Sequence, residues 1–531
     1  MRVTLLDYGA GNVRSVRNAI ARLGYSVCDV AAPEDILRAE KLIFPGVGSF
    51  GLVMERLRES GYIEPLRQRI LADKPFLGIC VALQALFEGS EESPGITGLG
   101  ILPGQVRRFQ GTGLAVPQIG WNSIKPCRQA PLLQGYAGEK LYFVHSYHAT
   151  LAETDPDWLL AVSDYGTPFV AAVGKGRVNA FQFHPEKSGA CGLAILERFL
   201  KVEGACAVHS QLLPAGDQGE TRIARRIIAC LDVRSNDAGD LVVTKGDQYD
   251  VRESGEVRNL GKPVELAKRY YEEGADEITF LNITGFRAFP LEDQPMLEVL
   301  ARTSENVFVP LTIGGGIRQF TDATGVYHSA LDVASAYFRA GADKISIGSD
   351  AVLAVEEYLA TGHKSGRSAI EQISAVYGAQ AVVISVDPRR VYVSSPDETG
   401  HTTIKTAFPG PKNELYCWYQ CTIKGGREGR DVDVVQLVQS CARLGAGEIL
   451  LNCIDRDGTG NGFDLELISL VKASVSIPVI ASSGAGSAAH FVEVFSKTAT
   501  EAALAAGIFH RREVSIAEVK EAVRRWGIET R

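Results

Sequence analysis

The sequence predicts an α/β protein with two domains: an open, mostly parallel sheet, followed by a (β/α)₈ barrel built from two half-barrel repeats. Three observations predict this. Short apolar runs alternate with helical patterns along most of the chain, and glycines cluster directly after those runs. The second part of the chain also contains similar segments that recur in the same order. With 531 residues, the chain is too long for one ordinary domain.

Composition indicates a globular protein with a buried core. Hydrophobic residues make up 45% of the chain and charged residues 22%, which is enough for a core and argues against disorder. No apolar run approaches the roughly 20 residues that span a bilayer. The net charge of −8 argues against an extended nucleic-acid surface. We therefore expect neither a nucleic-acid partner nor a membrane partner.

The start of the chain and its cysteines indicate a cytoplasmic protein. The first residues form a strand-like run that contains Asp7, which is unlike a signal peptide. A plastid location would require that a transit peptide has been removed. The ten cysteines lack metal-ligand spacing, so we expect mostly buried thiols, no metal and no cofactor.

Residues 1–203 are predicted to form the first domain. Strands are expected at residues 3–6, 41–44 and 76–79, and a helix at residues 13–23. Residues 204–221 lose this periodicity and are rich in Gly, Ala, Pro, Gln and Asp, so they are predicted to be a linker.

Residues 222–531 are predicted to form the barrel because its halves resemble each other. The apolar run that ends at Asp232 is echoed by the run that ends at Asp387. The run that ends at Gly314-Gly315-Gly316 is echoed by the run that ends at Ser483-Gly484. Two half-barrels that close into one barrel explain this order best. Residues 391–426 interrupt the rhythm and predict a long strand-to-helix loop that contains a hairpin.

The first domain carries a candidate thiol nucleophile. Cys80 follows an apolar strand and precedes a helical pattern, which is typical of a nucleophile on a sharp turn. By itself, Cys80 would be interpreted as a buried cysteine. However, His184 and Glu186 are two residues apart in an extended segment and therefore point the same way. This predicts a triad in which Glu186 orients His184 and His184 takes the thiol proton. The Pro45–Gly48 turn offers backbone N–H groups for an oxyanion.

These motifs resemble the class I glutamine amidotransferases over the first two hundred residues. The resemblance implies that Cys80 attacks the side-chain amide of glutamine and releases ammonia. It also implies a set of residues that bind the oxyanion or glutamine: Gly46, Val47, Gln84, Ser146 and Tyr147. Ala82 stands where that family has Gly, which predicts a crowded turn and a slower glutaminase.

The barrel carries two candidate acid–base residues and two candidate phosphate sites. Asp232 and Asp387 end the first and fifth predicted strands, so they should face each other across the barrel mouth and act as acid and base. Glycine-rich strand ends suit phosphate because backbone N–H groups bind anions. The first candidate site comprises Gly315, Gly348 and Ser349. Its counterpart in the second half comprises Asp457, Gly458, Ser483, Gly484, Ala506 and Gly507. Two such sites imply a long substrate with a phosphate at each end.

The barrel motifs resemble the cyclase of the imidazole glycerol phosphate synthases, and the fused arrangement resembles their fungal and plant form. The resemblance implies synthesis of imidazole glycerol phosphate and an aminoimidazole carboxamide ribotide from a bis-phosphorylated ribotide and ammonia. It places Lys245 beside the two aspartates. Two departures stand out: Asn282 replaces an acid of the bacterial form, and Gly507 replaces a Ser.

Four charged residues are predicted to form a ring at the bottom of the barrel, where ammonia would enter. Glu277, Lys344 and Glu448 occupy the same position in three repeats that begin with Gly-Ala. They should therefore lie at the same end of the barrel. The resemblance adds Arg226 to the ring, and analogy alone pairs Lys187 with Asp343 across the domain contact. Because both activities share one chain, we expect a monomer.

Three other interpretations remain open. A related sugar-phosphate isomerase barrel shares half-barrels and paired acids, but a fused glutaminase has no role in it. A synthase of pyridoxal phosphate would require a lysine that forms a Schiff base. Finally, the first domain could be a non-catalytic module on a cyclase that depends on free ammonia, an interpretation supported only by Ala82.

Overall fold

The computed structural model describes residues 2–9, 11–201, 220–235, 241–244, 252–253, 256–257, 259–283, 294–322 and 325–531. Lys245 and residues 204–219 of the predicted linker lie outside these ranges. No helix among the described residues is both long enough and apolar enough to cross a membrane. The nine cysteines within them are free thiols, and six are buried.

The first domain is built on the predicted open sheet. Its strands are β1 (Arg2–Leu5), β2 (Ser26–Asp29), β3 (Lys41–Phe44), β4 (Phe76–Ile79), β5 (Gly89–Ser90), β6 (Gln105–Arg108), β7 (Gln118–Asn122), β8 (Lys125–Pro126), β9 (Leu141–His145), β10 (Tyr147–Ala149), β11 (Leu159–Asp164), β12 (Pro168–Lys175) and β13 (Val178–Phe181). Its helices are α1 (Val13–Arg22), α2 (Pro33–Arg38), α3 (Phe50–Glu59), α4 (Ile63–Leu71), α5 (Val81–Gln84) and α6 (Gly189–Lys201).

The main sheet has eight strands in the order β2-β1-β3-β4-β13-β12-β11-β8. The first five are parallel, and the last three continue the sheet in antiparallel fashion. Strands β3, β4 and β13 are buried throughout and are mostly apolar, with Lys41 and Asn179 as the polar exceptions. The carboxyl ends of β4 and β13 are adjacent, so the residues that follow them share one edge.

The second domain is the predicted (β/α)₈ barrel. Its strands and loop hairpins are β14 (Arg226–Ser235), β15 (Leu241–Thr244), β16 (Arg252–Glu253), β17 (Glu256–Val257), β18 (Glu277–Asn282), β19 (Leu311–Gly314), β20 (Phe320–Thr321), β21 (Tyr327–His328), β22 (Lys344–Ile347), β23 (Val382–Val386), β24 (Pro388–Val393), β25 (Thr403–Lys405), β26 (Tyr416–Ile423), β27 (Glu428–Asp433), β28 (Glu448–Asn452), β29 (Val479–Ser482) and β30 (Ala502–Ala505). Its helices are α7 (Pro263–Glu272), α8 (Gln294–Thr303), α9 (Ala330–Ala340), α10 (Ser349–Thr361), α11 (Ala369–Tyr377), α12 (Val434–Leu444), α13 (Leu465–Ser474), α14 (Ala488–Lys497), α15 (Gly507–His510) and α16 (Ile516–Arg525).

Eight parallel strands close the barrel in the order β14-β18-β19-β22-β23-β28-β29-β30, and β30 pairs with β14. The interior is filled by small and aliphatic side chains, including Ile228, Cys230, Val383 and Leu504. The loop predicted at residues 391–426 is a four-stranded antiparallel sheet formed by β24–β27, and it extends over residues 388–433.

The two domains meet at the barrel end where the strands begin. Trp121 Nε1 donates to the Asp276 carbonyl at 3.1 Å, just before β18. The Gly189 N–H donates to the Phe308 carbonyl at 3.0 Å, just before β19. The first domain therefore lies against the bottom of the barrel, opposite the end at which the barrel strands finish.

Candidate active sites

Cys80 lies on a strained turn between β4 and α5. Its backbone has φ 53° and ψ −110°, a left-handed conformation that side chains other than glycine rarely adopt. The Cys80 N–H donates to the Phe181 carbonyl at 2.6 Å, which ties the turn to the end of β13. Such strain is typical of a nucleophile lifted out of a sheet.

His184 and Glu186 come together as predicted, with 2.8 Å between His184 Nδ1 and Glu186 Oε1. Burial by itself would lower the pKa of His184, but Cys80 and Glu186 outweigh it and raise that pKa well above its ordinary value. The effect of Cys80 on this pKa indicates that the imidazole lies close to the sulfur. A cationic imidazole beside the sulfur stabilises negative charge on it, which is the condition for a nucleophilic thiol.

The predicted oxyanion turn, Pro45–Gly48, packs directly against the Cys80 turn. A Cβ on Gly46 would lie 2.0 Å from the Ile79 carbonyl and 2.6 Å from the Ala82 nitrogen, so only glycine permits this approach. Val47 follows it, but its N–H donates to the Tyr8 hydroxyl at 2.8 Å. The turn is therefore where the sequence predicted it, with one of its donors already engaged.

Gln182 joins the site although the sequence analysis missed it. Gln182 Nε2 lies 3.5 Å from Cys80 Sγ and is positioned to donate to it. The predicted residue Gln84 donates to Gln182 Oε1 at 3.1 Å and to the Tyr147 carbonyl at 2.9 Å. The signal for Gln182 was available, because it lies two residues before His184 and the rule that paired His184 with Glu186 applies to it equally.

A cavity of about 370 Å³ lies between the two domains. The first domain contributes the predicted residues Ser146 and Tyr147, and the barrel contributes Lys364 and Gln380. Glu92 also lines it and accepts from the Phe50 N–H at 2.7 Å. Burial raises the pKa of Glu92. No motif marks Glu92 in the sequence, because its place in the cavity depends on long-range packing.

The two barrel aspartates lie on opposite sides of the barrel. Asp232 is on β14 and Asp387 directly follows β23, the first and fifth strands of the closed order. Asn452 Nδ2 donates to Asp387 Oδ1 at 2.9 Å. Burial raises the pKa of Asp387, the Asn452 hydrogen bond partly offsets this, and Asp457 adds to the rise. Asn452 therefore orients Asp387 and favours its charged form.

The candidate phosphate sites repeat each other's backbone geometry. Gly315 has φ 99°, and a Cβ there would lie 2.2 Å from the Asn282 carbonyl. Gly484 has φ 96°, and a Cβ there would lie 2.2 Å from the Gly462 carbonyl. Both strand ends thus require glycine for the same reason, close approach of a neighbouring loop.

The remaining phosphate-site residues follow the same two-fold pattern. Gly348 caps α10 at its N-terminus and Ala506 caps α15, so Ser349 and Gly507 begin equivalent helices. Ser349 Oγ accepts from the Lys424 N–H at 3.0 Å, which ties β26–β27 to the first site. The other predicted residues lie at loop positions of the second site, with φ 72° at Gly458, φ 70° at Ser483 and only 9% exposure at Asp457.

The predicted charged ring is present, and it is closed. Arg226 bonds to Glu277 at 2.9 Å and to Glu448, while Lys344 bonds to Glu277 at 2.7 Å and to Glu448 at 2.6 Å. None of the four side chains is more than 1% exposed. They begin β14, β18, β22 and β28, so all four lie at the barrel end that faces the first domain.

Tyr142 lies between the triad and the ring. Its aromatic ring is 6.5 Å from that of His184, measured between centroids. Burial raises the pKa of Tyr142, and the nearby carboxylates Glu277 and Glu448 add to the rise. The thiol centre, Tyr142, the charged ring and the apolar barrel interior therefore follow one another in space.

Family models match both domains. The class-I glutamine amidotransferase model matches residues 4–202, and the model described as histidine biosynthesis protein matches residues 226–515. A glutamine amidotransferase domain joined to a histidine-biosynthesis barrel fits two of the open interpretations less well. These are the sugar-phosphate isomerase and the synthase of pyridoxal phosphate.

Similar proteins with both domains occur in plants and fungi. The imidazole glycerol phosphate synthase hisHF, chloroplastic, of Arabidopsis thaliana is 57% identical over 100% of this chain and 89% of its own length. The hisHF proteins of Emericella nidulans and Schizosaccharomyces pombe are 58% and 54% identical, each over 98% of this chain and 97% and 98% of their own lengths. The chain therefore belongs to the family of bifunctional imidazole glycerol phosphate synthases of the hisHF type.

Proposed function

We propose that this chain hydrolyses glutamine at Cys80 and uses the ammonia in the barrel to make imidazole glycerol phosphate and an aminoimidazole carboxamide ribotide. The second substrate would be the phosphoribulosyl-formimino ribotide of histidine synthesis. The observation that carries the proposal is the order of the sites in space. The Cys80–His184–Glu186 triad comes first, the charged ring follows, and Asp232 and Asp387 lie beyond the ring.

In the first step, Cys80 Sγ attacks the side-chain carbonyl carbon of glutamine. The carbonyl oxygen becomes an oxyanion near Gly46 and Val47. When the intermediate collapses, the carbon–nitrogen bond breaks and His184 gives a proton to the departing nitrogen, which leaves as ammonia. Water then attacks the thioester, and glutamate and the free thiol are released.

In the second step, neutral ammonia travels through the barrel and adds to the ribotide at the open end. A covered route keeps ammonia unprotonated, because ammonium is not a nucleophile. Asp232 and Asp387 then act on opposite sides of the ligand, one as general acid and one as general base. The glycine-rich strand ends would hold the two phosphates, and Lys245 would assist on the first loop.

The ring of Arg226, Glu277, Lys344 and Glu448 is proposed as the gate of this route. The four side chains are fully paired in the closed state. Passage of ammonia therefore requires one pair to separate. Breaking a buried pair is costly, about 3–5 kcal/mol where a partner is removed outright, so the gate opens only when other contacts compensate.

The proposal is tested by product formation from the ribotide with glutamine and, separately, with ammonium salt. Both nitrogen sources should support turnover, and Cys80→Ala should abolish only the glutamine reaction. Turnover with ammonium alone in the unmodified chain would favour the non-catalytic interpretation of the first domain.

We further propose that the protein acts as a monomer on small molecules, in the cytoplasm or, if a transit peptide is removed, in a plastid. Both active sites lie in one polypeptide, and the Arabidopsis relative is named as chloroplastic. Light scattering of the active protein should give the 57.2 kDa mass of one chain. A dimer mass would contradict the monomer.

A further inference from the structure

The cavity of about 370 Å³ between the two domains is connected to the thiol by a short chain of side chains. Tyr147 forms part of its wall, and the Tyr147 carbonyl accepts from Gln84 Nε2 at 2.9 Å. Gln84 also donates to Gln182, and Gln182 Nε2 lies 3.5 Å from Cys80 Sγ. A glutamine whose amide is attacked by Cys80 can therefore place its α-amino and α-carboxylate groups in this cavity.

The ionisable side chains of the cavity wall offer both signs of charge. Glu92 accepts from the Phe50 N–H with one carboxylate oxygen, and its other oxygen has no hydrogen-bond partner among the described residues. Arg108 of the first domain and Lys364 of the barrel contribute two cations to the same wall. A free amino acid carries one ammonium and one carboxylate, so it finds an opposite charge for each group here.

The second carboxylate of the wall, Glu371, is already engaged by the chain segment that carries Lys364. Glu371 Oε1 accepts from the Gly366 N–H at 3.0 Å, and Oε2 accepts from Ser368 Oγ at 2.7 Å and from Ser365 Oγ at 3.1 Å. These bonds hold the segment at the start of α11. Lys364 itself is exposed and forms no ion pair with any described carboxylate, so its charge stays available to a ligand.

Arg108 is also without a carboxylate partner for its side chain in the described part of the chain. Its neighbour Arg107 differs, because Arg107 pairs with Glu91 at 3.1 Å and with Glu153 at 2.7 Å. The cavity thus has one uncompensated cation from each domain. An anionic group that enters it gains from both.

We propose that Lys364 is a specificity-determining residue that binds the α-carboxylate of glutamine across the domain contact, while Arg108 binds it from the first domain. The barrel would then complete the substrate site of the glutaminase and favour amino acids over amides that lack a carboxylate. The inference rests on the proposed role of Cys80 as the glutamine nucleophile.

Lys364→Met tests the inference because it keeps the length of the side chain and removes its charge. In the presence of saturating ribotide, KM for glutamine should rise on the order of fivefold, the effect of one exposed ion pair. The kcat should stay unchanged, because the α-carboxylate is bound equally before and during the attack on the amide. Lys364→Arg should retain most of the affinity. The matched control is Arg367→Met, which removes an exposed cation of the same segment outside the cavity wall and should leave KM unchanged.

A second ligand separates recognition of the carboxylate from a general distortion of the cavity. The probe is 4-aminobutanamide, which is glutamine without its α-carboxylate, and its binding is measured as inhibition of glutamine hydrolysis. Lys364→Met should bind this amide as the unmodified chain does, whereas a distorted cavity would bind it less well.

Two results would overturn the inference. One is an unchanged KM for glutamine in Lys364→Met, including the case in which Arg108→Met alone raises it. The other is an equal loss of affinity for glutamine and for 4-aminobutanamide. If the unmodified chain hydrolyses no glutamine even with the ribotide, it is the proposed function that has failed.

Discussion

Lys187 Nζ lies 2.6 Å from Asp343 Oδ2, across the contact between the two domains. Lys187 directly follows Glu186 of the triad, and Asp343 directly precedes Lys344 of the charged ring. Asp343 also accepts from Asn12 Nδ2 at 2.8 Å. The pairing expected by analogy is therefore confirmed as a contact, and it ties the glutaminase centre to the proposed gate through adjacent residues.

Lys187→Met should weaken the coupling between the two active sites while leaving the activity of each site unchanged. The side chain keeps its length but loses the charge that holds Asp343. We expect glutamine-dependent product formation to fall roughly tenfold while ammonia-dependent formation stays near normal. Lys497→Met is the control, since Lys497 pairs with Glu493 on an exposed helix turn. Equal losses with both nitrogen sources would contradict the prediction.

Lys344→Ala should make the enzyme leak ammonia. Glutamine hydrolysis should continue, while less of the nitrogen reaches the product and more is found in solution. Comparing glutamate released with ribotide converted measures the leak directly. The control is Lys472→Ala, which removes a lysine–glutamate pair to Glu501 outside the ring. Unchanged coupling in Lys344→Ala would argue against the ring as a gate.

Glu186→Gln should slow glutamine hydrolysis and change its pH dependence. Glu186 is one of the groups that raise the pKa of His184, so that pKa should fall in the variant. Protonated His184 is lost as pH rises through its pKa, and the alkaline limb of kcat/KM should therefore move to lower pH. The rate should drop roughly 10²- to 10⁴-fold. Ammonia-dependent turnover is the internal control, and an unmoved alkaline limb would contradict the assignment.

Asn452→Ala should shift the pH dependence of the barrel reaction. The Asn452 hydrogen bond lowers the pKa of Asp387, so its loss should raise that pKa further. If charged Asp387 is required, activity is lost as pH falls through that pKa, and the acidic limb should move to higher pH. The measurement is ammonia-dependent turnover against pH. Asn306→Ala, at an exposed position of the barrel, should leave the limb where it was.

Ala82→Gly should speed up glutamine hydrolysis if the extra methyl crowds the elbow. Ala82 is fully buried at the start of α5, directly after the Cys80 turn. Ammonia release by the two forms settles the matter. A variant that is no faster shows that the methyl is accommodated and that crowding is not a factor.

Local sequence patterns were enough to predict the fold and most of the candidate site. The triad followed from two rules, a nucleophile between strand and helix and side chains two residues apart in an extended segment. The facing aspartates Asp232 and Asp387 followed from counting repeats, because fifth follows first halfway round eight strands. Strand β3 has the predicted bounds. The predicted hairpin loop, by contrast, is the larger four-stranded sheet β24–β27.

By itself, the sequence determined which residue types end which strands, because period-2 patterns, glycine turns and internal repeats are local properties of the chain. Only the tertiary structure decided that the charged ring is closed, that Asn452 holds Asp387, and that the Val47 N–H is bound to Tyr8. Each of these contacts joins residues tens to hundreds of positions apart. Their partners are chosen by how whole elements pack, and no local pattern contains that choice.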